Sequence, residues 1–128
     1  MARILIVDDS GYARRVHRGI LESQGHRILE SSTGLSAIET YALERPDLVL
    51  LDLSMEDIGG VDVLRRLREI DAGARVIVIS ADVQRTTEQS VMEAGARRFL
   101  GKPVDPEKLI SEIGALLQPE QSVEGKPS

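Results

Sequence analysis

The 128-residue chain is one domain's length, enough to bury a single substantial core. With one Phe, two Tyr and no Trp, that core must be built from Leu, Ile, Val and Ala, and the absence of Cys excludes a disulfide framework or a thiolate metal site. The net charge of −5 argues against non-specific nucleic-acid binding, and no apolar run approaches the length of a membrane span.

Strand-like and helix-like periods alternate from end to end. Ala2–Val7 reads as the first strand, reached too early to leave room for a signal peptide, so a cytoplasmic protein is expected. Gly11 to Ser23 follows as a helix capped by Ser10, with Ala13, Val16, Ile20 and Leu21 at core spacing. Gly25 suits the left-handed position that ends a helix. A short strand at Arg27–Glu30 leads to a helix from Leu35 to Glu44, broken by Pro46.

Leu48-Val49-Leu50-Leu51 is then a strand buried on both faces, ending on Asp52. In the polar loop that follows, Gly59-Gly60 is expected to supply backbone angles closed to other residues. Val61, Leu64, Leu67 and Ile70 line the next helix, with Arg65, Arg66, Arg68 and Glu69 mostly on its solvated side. Arg75–Ser80 is the fourth strand, Gln84 to Ala94 a helix stopped by Gly95, and Arg97–Leu100 the fifth strand. Pro103 to Pro106 opens a last helix that buries Leu109, Ile110, Ile113, Leu116 and Leu117. The domain therefore spans 1–117, and the polar residues 118–128 read as a disordered tail or linker stub.

Five strands alternating with five helices predict an α/β fold: a doubly wound, five-stranded parallel sheet with helices on both faces. Strand order 2-1-3-4-5, the flavodoxin-like (βα)5 arrangement, brings the ends of the first, third and fourth strands together. Their terminal groups are Asp8 and Asp9, Asp52, and Ser80, with Lys102 after the fifth strand. Three adjoining carboxylates repel one another, and an all-oxygen set suits a hard divalent ion, Mg2+ first among them. A carboxylate can also act as a nucleophile toward phosphorus, and Asp52 is the best placed; Lys102 and the Ser80 hydroxyl could then hold phosphoryl oxygens. Singly, each group has a plainer use. Asp8-Asp9-Ser10 could cap a helix, and Lys102 could simply be solvated.

In this order and spacing, Ile6-Val7-Asp8-Asp9-Ser10, Asp47 to Leu53, Val78-Ile79-Ser80-Ala81 and Gly101-Lys102-Pro103 resemble the receiver domains of bacterial two-component response regulators, especially the single-domain, CheY-like type. The resemblance covers about residues 2 to 117. It implies that Asp52 accepts a phosphoryl group from a sensor histidine kinase, a phosphotransfer protein or a small phosphodonor. Asp8, Asp9, Asp52 and the Ser54 backbone carbonyl would hold Mg2+, and Lys102 would bind the phosphoryl group. Ser80 matches the switch hydroxyl and Phe99 the aromatic that turns inward with it. Ser54 and Asp82 stand where the family tunes phosphate hydrolysis, and the Lys102-Pro103 bond would be cis.

The resemblance further implies that the fourth helix, fifth strand and fifth helix report phosphorylation and that the first helix helps dock the kinase; Arg14, Arg15 and Arg18 on that helix read as a solvated face that could instead orient a kinase. The chain would not be an enzyme, but a phosphoacceptor that catalyses only its own phosphorylation and dephosphorylation. With no effector domain after Leu117, it would act through a downstream protein target rather than bind DNA, as a monomer or a phosphorylation-dependent dimer, or else be a receiver cut from a longer regulator. One departure stands out: the loop proline usual four residues after the phosphoacceptor is Glu56 here, beside Asp57. Competing readings are weaker. A haloacid-dehalogenase-like phosphatase would carry Asp-x-Asp after the first strand, where Asp8-Asp9-Ser10 stands, and no Gly-x-Gly-x-x-Gly follows that strand as a dinucleotide-binding domain would need.

Overall fold

The computed structural model describes residues 1–118. Five strands, β1 (Arg3–Val7), β2 (Arg27–Ser31), β3 (Leu48–Asp52), β4 (Val76–Ser80) and β5 (Arg98–Gly101), alternate with five helices, α1 (Gly11–Glu22), α2 (Gly34–Glu44), α3 (Gly60–Ile70), α4 (Arg85–Glu93) and α5 (Pro106–Leu117). The strands form one parallel sheet in the order β2-β1-β3-β4-β5, as the sequence predicts. Among the described residues no helix is long and apolar enough to cross a membrane.

Every residue of β3 and β4 is buried, which is why their sequences run apolar without alternation. The pleat sends alternate side chains to opposite faces and makes two cores. On one face Leu5, Val7, Val49, Leu51, Val76 and Val78 meet Ala37, Tyr41, Val63, Leu64, Leu67 and Val91 from α2, α3 and α4. On the other, Ile4, Ile6, Leu48, Leu50, Ile77 and Ile79 meet Leu21, Leu109 and Ile113 from α1 and α5. Pairing of Val7 with Leu51, Asp52 with Ile79 and Ser80 with Gly101 aligns the carboxyl ends of the strands.

Helix ends follow local chemistry. Ser10 accepts from the amide of Ala13 as expected, and Gly25 and Gly95 both take positive φ where α1 and α4 stop. Three expectations need correction. On α1 the fully buried positions are His17 and Leu21, spaced one helical turn apart, whereas Val16 is 42% exposed. On α3 Val63 joins Leu64 and Leu67 in the core, while Val61 and Ile70 are only half-buried, and on α5 the same holds for Ile110, Leu116 and Leu117 against Leu109 and Ile113. Finally, Gly59 has φ −61 and ψ 148, angles open to any residue. Glycine is needed next door for space: a Cβ on Gly60 would lie 2.5 Å from Leu53 Cδ2 and 2.8 Å from Leu53 Cα. Gln118 caps α5, and the rest of the expected tail, 119–128, lies outside the described residues.

Candidate functional site

The strand ends converge as the predicted order requires. Asp8 follows β1 and is buried, as is Asp52, the last residue of β3. Asp9 is exposed beside them, and carboxylate oxygens of Asp8, Asp9 and Asp52 lie within 4.8 Å of one another. Lys102, from the segment after β5, reaches across to this group. Its Nζ donates to Asp8 Oδ2 at 3.2 Å and stands 3.1 Å from Asp52 Oδ1. The contact with Asp52 is a charge pair rather than a directed hydrogen bond, so among the described residues buried Asp52 Oδ1 has no hydrogen-bond donor.

Burial pushes the Asp52 carboxyl above the usual carboxylate range; Lys102 pulls it back and the charges of Asp8 and Asp9 add to the rise. Burial alone would lower the Lys102 ammonium, but Asp52 and Asp8 together hold it above its ordinary value. A compact set of hard oxygen donors, one of them buried without a donor, fits a divalent cation.

The acidic turn is held from outside. Asp8 Oδ1 accepts from the amide of Ser10 at 2.9 Å, and the Asp8 carbonyl accepts from Arg14 Nη1 at 2.6 Å. Arg14 and Arg18 both also pair with Glu30 on β2, and Arg18 with Glu22. These two arginines, read from sequence as a solvated face, are thus engaged in a clamp that ties α1 to β2.

Ser80, the last residue of β4, is buried, and its Oγ accepts from the amide of Asp82 at 2.9 Å. Asp82 is turned to the start of α4: Oδ1 accepts from the amide of Gln84 at 3.0 Å and Oδ2 from the Thr87 hydroxyl at 2.7 Å. Those two donors hold its carboxyl below the ordinary value, the Thr87 hydroxyl most of all. Phe99, on β5 opposite Val78, is half-buried against the first core, and the Lys102-Pro103 bond is cis. Ser54 is exposed in the loop after β3.

Two further residues fall near the site without having been singled out. His17 is buried at the wall of a cavity of about 530 Å3 that also touches Tyr12, Ala13, Val16, Lys102 and Val104. Burial holds its imidazole below the usual value. A polar residue inside an apolar helical stripe is the signal that could have flagged it. Thr87 is the other; one exposed threonine near a helix start carries no sequence signal of its own.

The family model for the response regulator receiver domain matches residues 4–114. The chain belongs to that family. This receiver domain is 35% identical over 116 residues to the chemotaxis protein CheY of Bacillus subtilis, covering 90% of the chain and 97% of the relative. It is 37% identical over 119 residues to protein PilH of Pseudomonas aeruginosa, covering 91% and 98%. Among solved structures it resembles that of a CheX–CheY–BeF3–Mg2+ complex from Borrelia burgdorferi, with a TM-score of 0.87, 30% identity, and coverage of 91% of this chain and 90% of that one. The receiver is therefore a CheY-like signalling domain of two-component signal transduction, and its carboxylate triad lies where the five-strand order predicts.

Proposed function

We propose that the chain is a phosphorylation switch whose phosphoacceptor is Asp52. The observation that carries this reading is the buried Asp52 carboxylate at the end of β3, with Lys102 Nζ 3.1 Å away and two further carboxylates in reach. Asp8, Asp9, Asp52 and the Ser54 carbonyl hold Mg2+, which when bound offsets the negative charge that gathers on the phosphoryl oxygens.

An Asp52 oxygen attacks phosphorus in line with the leaving group. The O–P bond forms as the donor's bond to phosphorus breaks: N–P in a phosphohistidine of a histidine kinase or phosphotransfer protein, O–P in acetyl phosphate. A leaving imidazole takes a proton from water, and acetate leaves as the anion. Lys102 stabilises the charge on one phosphoryl oxygen. The Ser80 hydroxyl, drawn toward another, moves the segment after β4, and Phe99 turns into the space it vacates. The face of α4, β5 and α5 then meets a downstream protein differently. A phosphoryl group shifts the two conformations only by its differential stabilisation of one, so the switch works because they lie within a few kcal/mol of each other. Water attack on phosphorus regenerates Asp52, with Ser54 and Asp82 setting the rate.

Incubation with acetyl phosphate and Mg2+ tests this. One phosphoryl adduct per chain, absent in Asp52→Asn and decaying after the donor is removed, is expected. Multiple turnover of unrelated phosphate esters would instead mean a hydrolase.

A further inference from the structure

The loop after β3 carries two adjacent acids, Glu56 and Asp57, and the structure shows where the second one goes. Asp57 reaches across to α2: its Oδ1 accepts from the amide of Gly34 and its Oδ2 from the amide of Leu35, both at 2.9 Å. Thr33 takes the next two amides, its Oγ1 accepting from Ser36 at 3.1 Å and its carbonyl from Ala37 at 3.0 Å. The first four N–H groups of α2 are thereby all satisfied, two of them by a side chain 22 or 23 residues away. A carboxylate on a helix amino terminus also meets the positive end of the helix dipole.

The approach is shaped for this contact. A Cβ on Gly34 would fall 2.7 Å from Val63 Cγ2 on α3, 3.3 Å from Ile58 Cβ and 3.4 Å from Asp57 Oδ1, so a side chain there would push α2 off α3 and crowd the loop. Ile58 packs on the first core from the far side of Asp57, and Met55 is buried on the near side with its amide on the Leu53 carbonyl at 3.0 Å. Among the described residues, Asp57 makes the hydrogen bonds that tie this stretch, between Met55 and Ile58, to a neighbouring element. Ser54, whose backbone carbonyl is the loop's contribution to the metal site, sits one residue before this braced stretch.

We propose that Asp57 is a positioning residue for the Mg2+ site: by clamping the β3–α3 loop to the amino end of α2, it holds the Ser54 carbonyl in place. The proposal rests on the metal-binding reading above. The two acids differ in their contacts: both are exposed, but Asp57 places its carboxylate on the amides of α2.

The test is Mg2+ affinity by titration calorimetry on the full chain, with urea unfolding without metal alongside. Asp57→Ala is expected to weaken Mg2+ binding about ten-fold, the low end of what loss of an outer supporting group costs a metal site. Glu56→Gln, which removes the same charge from the same loop, should leave affinity near that of the wild type. Gly34→Ala, which keeps Asp57 but forces the two elements apart, should weaken binding as Asp57→Ala does. Equal losses in Asp57→Ala and Glu56→Gln would overturn the proposal in favour of simple charge attraction. Lower urea stability with unchanged Mg2+ affinity would overturn it in favour of a purely structural cap. If wild type binds no Mg2+, or Asp52→Asn binds as tightly as wild type, the metal-site reading itself fails, an outcome distinct from either.

Discussion

Lys102 Nζ lies 3.2 Å from Oδ2 of Asp8, a residue 94 positions away in the chain. This contact, with the 3.1 Å approach to Asp52, gives three carboxylates a single ammonium as compensation. The balance falls short at Asp52, where burial and like charge outweigh the cation and lift the carboxyl above its usual range. The native state therefore keeps the Asp52 proton to higher pH than the unfolded chain does. Stability from this group falls as pH rises from the unfolded titration range through the raised native one.

Asp52→Asn removes that cost. Urea unfolding at neutral pH without Mg2+ should find the variant more stable by about 1–3 kcal/mol, the scale of a buried polar group left unmatched. The advantage should shrink as pH falls and native Asp52 takes up its proton. Lower stability for the variant at neutral pH would mean that the Lys102 pairing outweighs burial.

His17 makes the opposite pH signature. Its native imidazole is held below 6.5 by burial first, with Lys102 adding to the effect and Asp8 opposing it. As pH drops below 6.5 the unfolded chain binds a proton that the native state refuses, so stability is lost toward acid. His17→Leu fills the same buried position without a titrating group. Its thermal midpoint should decline less than that of wild type between neutral pH and pH about 5, below the unperturbed histidine range.

Both carboxylate oxygens of Asp82 accept hydrogen bonds, one from the Gln84 amide and one from the Thr87 hydroxyl. Thr87→Val should raise the Asp82 carboxyl toward the ordinary value in an NMR titration, and Thr87→Ser should restore it. Asp82 assists the attacking water in the wild type and does so more freely without Thr87, so phosphate loss should slow in Asp82→Ala and quicken in Thr87→Val. The first effect is expected to be about ten-fold, less than a committed general base supplies. Equal decay in Asp82→Ala and wild type would remove Asp82 from the mechanism.

Far from the site, Tyr41 is buried and its hydroxyl donates to Asp71 Oδ2 at 2.9 Å, which with burial lifts the phenol from 10.0 to about 12. The native state holds this proton after the unfolded chain has lost its own. Stability should thus fall as pH rises between about 10 and about 12, and Tyr41→Phe should abolish that slope. At neutral pH the same variant should cost about 1 kcal/mol for the lost hydrogen bond. Urea unfolding across the alkaline range measures both.

What could be read from the chain alone divides by range. Buried parallel strands announce themselves as unbroken apolar runs, so β3, β4 and the polar groups at their ends were legible, and with them the convergence of Asp8, Asp52, Ser80 and Lys102. Helix faces were legible to about one residue, because the sequence stripe says which side is apolar but not how the helix rolls on the sheet; this is how Val16 was taken for His17's place. Links between distant side chains and backbone were not legible. Asp57 on the amides of α2 joins segments 22 and 23 residues apart that only the folded chain brings together, and the shorter links of Arg14 to the Asp8 carbonyl and Thr87 to Asp82 depend on how the chain turns where a strand meets a helix.

The central claim is that the phosphoryl group lands on one oxygen of one aspartate at the end of β3. Treating the chain with acetyl phosphate and Mg2+, reducing the acyl phosphate with borohydride and mapping the peptides locates the modified carboxyl directly. Reduction product is expected at position 52 alone, and none when the donor is omitted. Product at position 8 or 9, or no product under conditions in which Mg2+ binds, would contradict it.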